Sequence, residues 1–164
     1  MSTSQGMVLR AVVVSCALGW FVSGCSAPAP NPVAATSSTD AESSPKRVVA
    51  DFYDLAFVRG RVAEAAEKYI GDQYIQHNPH VADGRQAFVD AIGPFYANTA
   101  GLKVTVGHVI AEGDLVVVHA LHEAEGEPAT AVADIFRVAG GKIVEHWDVQ
   151  QPVPANTASG RPMV

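Results

Sequence analysis

Asp134 sits between apolar residues in "VADIFRVAGGKIVEHWDVQ", two strand-like runs around a Gly140-Gly141 turn. A carboxylate on the outer face of such a strand is solvated decoration. On the inner face, burial disfavours its charged form, so one group can take a proton and return it. Histidines lie close by in sequence: His119 and His122 on the preceding strand, His77 and His80 in "QHNPH", and His146 beside Trp147 and Asp148. A carboxylate and a histidine in an apolar cavity suit proton removal next to a carbonyl. The histidine, His119 or His77, can then hydrogen-bond the enolate oxygen. Such chemistry requires no cofactor, and none is expected. Nor is a metal: His77 and His80 are two loop residues without further ligands, and His119 and His122, three apart on a strand, point to opposite faces.

The strands must decide which way Asp134 points. A two-residue hairpin at Gly140-Gly141 sets Val138 opposite Ile143, Phe136 opposite Glu145 and Asp134 opposite Trp147. Opposed residues share a face. Val132, Asp134, Phe136, Val138, Ile143 and Trp147 then form the larger apolar face, which is assigned to the core, while His146 and Asp148 fall outside with Ile135 and Val144. Glu145 shares the inner face near the turn. If the preceding hairpin is symmetric about Gly126, His119 lies opposite Asp134 or one residue off. His119 is favoured, and a one-residue slip would bring His122 in instead. The expected site is thus Asp134 and His119 as catalytic groups, with His77, Trp147, Phe136 and Tyr74 as pocket residues.

Upstream, Ser44 and Pro45 suit a helix N-terminus, and Val48, Val49, Phe52, Leu55 and Ala56 recur at helical spacing until Gly60. A second helix, "RVAEAAEKYIG", closes at Gly71. "DQYIQHNPHVADG" reads as a loop, and "RQAFVDAIGPFYANT" as a helix that Pro94 kinks or shortens. After Gly101 the period becomes two, and four strands with hairpin signals follow. Helices first and antiparallel strands after argue for an α+β domain with helices over one face of a curved sheet.

Of the 164 residues, the first stretch is set apart from this domain. "AVVVSCALGWFV" has the length of a signal-peptide core, and "VSGC" ending at Cys25 resembles the lipobox of bacterial lipoproteins. Residues 1–24 are read as signal peptide and 25–44 as lipidated Cys25 plus a Pro/Ser/Thr-rich tether, which leaves 45–164 as the domain. Lipid on Cys25 would place the protein in the cell envelope, anchored on the extracytoplasmic side. Cys16, the other cysteine, would leave with the signal, so no disulfide is expected. The net charge of −6 gives no footprint for nucleic acid.

"YIQHNPHVADG", "GDLVVVH" and "ADIFRVAGGKIVEHWDVQQPVP" resemble the SnoaL-like branch of the nuclear transport factor 2-like superfamily over about residues 45–164. The resemblance implies a cone-shaped α+β barrel around an apolar pocket. Relatives include polyketide cyclases, ketosteroid isomerase and limonene epoxide hydrolase. In the cyclases an aspartate on a central strand is the acid/base, which matches Asp134, and a histidine on the preceding strand matches His119. The "QHNP" loop corresponds to the pocket mouth, and a homodimer is the family habit. The expected function is a cofactor-free aldol-condensation, cyclase or isomerase enzyme for a small apolar carbonyl compound. The alternative is an envelope-anchored lipoprotein that binds an apolar ligand or protein partner without turnover. Epoxide hydrolysis needs further carboxylate and amide partners around a water, a set the sequence does not assemble.

Overall fold

The computed structural model describes residues 44–164; the signal-peptide, tether and Cys25 readings lie outside the described residues. Ser44 caps the first helix, its hydroxyl accepting from the Arg47 N–H, with Pro45 in the first turn. This helix, α1 (Pro45–Tyr53), buries Val48, Val49, Phe52 and Tyr53 and widens into a π-helical turn over Asp54–Val58. Gly60, at φ 67°, ends it. Helix α2 (Val62–Tyr69) buries Val62, Ala65 and Ala66.

The chain then enters a strand directly. β1 (Ile70–Gln76) occupies the first part of the stretch that reads as a helix end and a loop. It lacks a clean alternation of its own because it is an edge strand. Its partner, β5, comes some 70 residues later in sequence and supplies the hydrogen bonds. Helix α3 (Arg85–Asn98) runs through Pro94 instead of stopping there. Phe88 and Ile92 before the proline and Tyr96 after it all pack on the core, which outweighs the missing backbone donor. Four strands follow: β2 (Lys103–Glu112), β3 (Leu115–Glu123), β4 (Thr130–Ala139) and β5 (Lys142–Pro152).

The sheet therefore has five strands in the order β1-β5-β4-β3-β2, with β1 parallel to β5 and the other pairs antiparallel. It is mixed and open, with β1 and β2 as edges, so the α+β cone stands but the barrel does not close. The helices cover one face. Phe52 is the hub of the core between the layers, its ring 5.6–6.4 Å from those of Phe57, Tyr69, Phe88 and Phe136. Fully buried Val116, Val118, Phe136 and Ile143 supply the sheet side.

Two registers differ from those expected. In the β4–β5 hairpin Val138 pairs with Ile143, but Arg137 then pairs with Glu145, which leaves Val144 as a one-residue bulge. Beyond it every β5 residue is turned over. Asp134 is opposite Asp148, Phe136 opposite His146 and Ile135 opposite Trp147. The inner face takes His146 and Asp148, and Trp147 moves outside. The driving term is Glu145. Without the bulge it would lie under the helices against Phe136, a buried unpaired charge that costs several kcal/mol. With it, Glu145 reaches Arg137 Nε at 2.9 Å and His77 Nε2 at 2.9 Å. Those two contacts, His77 first, hold its carboxyl below the usual range. The β1–β5 pairing is irregular over the same stretch.

The β3–β4 hairpin is centred on Gly126, at φ 79°. That centre sets Val118 opposite Asp134 and His119 opposite Ala133, so His119 faces outward and His122 inward.

Candidate active site

Inner-face positions of β3, β4 and β5, the end of β1 and one side of α3 enclose a cavity of about 320 Å³. Its wall is apolar where Phe57, Phe88, Ala91, Ile92 and Phe95 line it. It is polar where Gln76, Asn78, His122, Asp134, His146 and Asp148 line it. Asp134 is only 6% exposed and His146 only 7%. Alternation on β4 puts Asp134 on the floor, and the Val144 bulge puts His146 beside it.

Both Asp134 oxygens are engaged. Tyr53 donates its hydroxyl to Oδ2 at 2.8 Å, and His146 Nε2 lies 3.0 Å from Oδ1. Burial first, then Asp134, pushes the Tyr53 ionisation far up, so the phenol remains a donor. With its proton committed to Asp134, Tyr53 accepts from His122 Nε2 at 3.1 Å. Burial lowers the His122 pKa, which favours the neutral ring with its proton on Nε2. Ala120 and Val132 pair with one another between Asp134 and His122 on the inner face.

On the other side, His146 Nδ1 lies 2.8 Å from Gln76 Oε1. The same oxygen accepts the Asn78 N–H at 2.9 Å, and Gln76 Nε2 donates to Tyr74 Oη at 3.2 Å. The network thus fixes the amide orientation and puts a proton on Nδ1. One further proton lies between Asp134 and His146. It is either on the carboxyl, donating to neutral Nε2, or on Nε2, donating to the carboxylate. A group of this kind both accepts and returns a proton without leaving its hydrogen bonds.

Asp148, the cross-strand partner of Asp134, accepts from Asn78 Nδ2 at 2.5 Å. Donor atoms of Asp134, His146 and Asp148 lie within 4.8 Å of one another, and two carboxylates with an imidazole suit a divalent cation. Both His146 nitrogens and both Asp134 oxygens are nevertheless already committed within the protein, and the acid/base chemistry of the pair draws on those bonds.

The remaining expected site residues spread over three environments. Phe136 is buried below the cavity with its ring 4.8 Å from that of His146, and Tyr74 is buried beneath Gln76; both support the polar groups from behind. His119 stacks on His108 on the outer face, ring centroids 5.8 Å apart. His77 stacks on Trp147 there, at 4.7 Å and nearly parallel, held by its bond to Glu145. The loop turns inward only after His77, so Asn78, His80 and Val81 line the cavity and His77 does not. Tyr53, His146, Asp148, Gln76 and Tyr96 are the lining or bonding groups that strand alternation alone does not select. The signal for His146 was Glu145, a charge that a regular hairpin would bury.

A family model described as a SnoaL-like domain matches residues 49–146. TsrD from Streptomyces laurentii superposes with TM-score 0.56 at 20% identity, covering 65% of this chain and 87% of its own. IdmH from Streptomyces antibioticus, assigned as a polyketide cyclase, gives TM-score 0.54 at 21% identity over 65% of this chain and 91% of its own. A protein from Bacillus cereus with the same assignment gives 0.59 at 18% identity over 70% and 78%. At these identities the likeness establishes the fold. No curated protein sequence matches the chain.

Proposed function

Since the chain belongs to the SnoaL-like domain family, we propose that it is a cofactor-free acid/base enzyme of the cyclase or isomerase type, acting on a compact, largely apolar carbonyl compound. The observation that carries the reading is the buried Asp134 carboxyl, joined to Tyr53 and His146, on the floor of an apolar cavity. The cavity volume lies at the small end of the roughly 300–1,000 Å³ range of ligand pockets, which favours a compact substrate.

Asp134 removes a proton from the carbon next to the carbonyl, and the bonding pair moves onto the carbonyl oxygen as an enolate. In a cyclisation the enolate carbon attacks a second carbonyl of the same molecule, forming the C–C bond. The proton held by the Asp134–His146 pair then goes to the new alkoxide. In an isomerisation it returns to carbon. Tyr53 and His122 hold the carboxyl in place, and the aromatic wall orients the ligand and excludes water. Polyketide cyclase assignments among proteins of this fold support the reaction class.

Exchange of α-hydrogens for deuterium, followed by NMR on a panel of cyclic and aryl ketones, tests the first step without knowledge of the substrate. Asp134→Asn should slow exchange by about 10²–10⁴-fold and leave ketone binding in place. Exchange at the wild-type rate in the variant would sink the assignment. Ketones that bind both forms and exchange in neither would point to a binding module.

We further propose that the site works on the extracytoplasmic side of a membrane. The "VSGC" sequence ending at Cys25 supports lipid attachment there, and an intact mass lacking the lipid increment would refute it. Exposed Ile110 and Val149 on the outer face of the sheet support cover by a second copy, which a monomer in sedimentation would contradict.

A further inference from the structure

Tyr96, on α3, lines the cavity, and its hydroxyl is buried without a hydrogen-bond partner among the described residues. Every other buried polar side-chain atom of the described site has one. The ring packs against Phe57 and Phe95, each 5.7 Å away by centroid. A buried hydroxyl with no partner is destabilising relative to hydrogen at the same position. Such groups persist where a ligand supplies the missing bond. Burial, and then the Asp134 carboxylate, pushes the Tyr96 ionisation well up, so the group offers a proton and remains O–H. Tyr96 lines the same cavity as Asp134 and His122.

We propose that the Tyr96 hydroxyl is the donor that receives the ligand's oxygen, the carbonyl in the ground state and the enolate after proton removal. This inference rests on the acid/base reading for its chemical meaning. It divides the site into two tasks. Asp134 with His146 handles the proton from the sheet side, and Tyr96 binds the developing negative charge from the helix side. The ligand must then carry its reactive oxygen toward α3 and its acidic C–H toward β4. That selects flat cyclic or aryl ketones and their enols over hydrocarbons of the same shape.

The test uses 2-naphthol as a stable enol mimic and naphthalene as its oxygen-free counterpart. Wild type should bind 2-naphthol about tenfold more tightly than naphthalene, the factor that one net hydrogen bond of about 1.4 kcal/mol gives. Tyr96→Phe should erase that preference while keeping naphthalene affinity. The melting temperature separates the proposal from a structural role. Removing an unpartnered hydroxyl should leave it unchanged or raise it, whereas removing a structural hydrogen bond would lower it. An undiminished naphthol preference in Tyr96→Phe, a lowered melting temperature, or no naphthol preference in wild type would each overturn the proposal. Asp134→Asn serves as the control. If ketone exchange fails in wild type but the naphthol preference still depends on Tyr96, the acid/base reading falls and the oxygen-donor assignment stands.

Discussion

Tyr53→Phe tests the architecture of the site without any substrate. The substitution removes one oxygen and keeps the ring, which packs 4.6 Å from Phe57 and 6.4 Å from Phe136, so no cavity term enters beyond the hydroxyl itself. Two bonds are lost, the 2.8 Å donation to Asp134 and the 3.1 Å acceptance from His122. A hydrogen bond to a charged group contributes about 1.5–3 kcal/mol, and a buried partner left unsatisfied adds its own desolvation cost. Asp134 remains buried, so the expected loss is about 2–3 kcal/mol, a sizeable part of the roughly 5–15 kcal/mol of a typical domain. At about 4 °C per kcal/mol for a domain of this size, the melting temperature should fall by about 8–12 °C. Urea unfolding by circular dichroism should show a lower midpoint with an unchanged slope. A double-mutant cycle with Asp134→Asn isolates the pair, for which a coupling of about 1–3 kcal/mol is expected. A loss below about 0.5 kcal/mol, the range of ordinary surface changes, or a coupling of zero, would refute the claim that the phenol and the carboxyl form one unit.

Two further outcomes follow from the same network. Because burial lowers the His122 pKa below its ordinary 6.5, the unfolded chain binds more protons as pH falls past that value. The stability from the neutral ring is therefore full above about pH 6.5 and is lost as pH drops through the folded value; melting curves from pH 7.5 to 5 should flatten in His122→Gln, and identical pH slopes would contradict the placement. Deleting Val144 removes the extra residue of the bulge and leaves Glu145 opposite Arg137, His146 opposite Phe136 and Asp148 opposite Asp134 in a regular hairpin, so the facing of the site residues is kept. Urea unfolding should show a folded variant with a loss of about 3 kcal/mol or less, and a deletion variant that cannot fold would refute Val144 as a one-residue offset between otherwise regular strands.

Much of the domain was legible from local pattern. The helix start at Ser44-Pro45, the change from helical to alternating period after Gly101, and the hairpins at Gly126 and Gly140-Gly141 are set by residues adjacent in the chain. The inward direction of Asp134 followed from alternation on its own strand. The outward direction of His119 is set by that same Gly126 centre, and its expected place in the pocket is off by one residue. A centre on Gly126 selects Val118 as the residue opposite, and one step of register changes the face. β1 stayed hidden because its pairing partner, β5, is distant in sequence, and an edge strand needs no strong pattern of its own.

What the sequence by itself determined is an α+β chain with a buried aspartate on a central strand. It determined these because helix capping, turn chemistry and alternation are short-range effects. Only the tertiary structure decided which groups meet that aspartate. Tyr53 comes from a helix 81 residues away, and Gln76 and Asn78 from an edge strand and its loop. His146 and Asp148 arrive through a bulge whose cause, the charge on Glu145, is satisfied only by Arg137 and His77 across strands. Each of those choices balances burial of a charge against a partner from another element, and that balance exists only once the elements are packed.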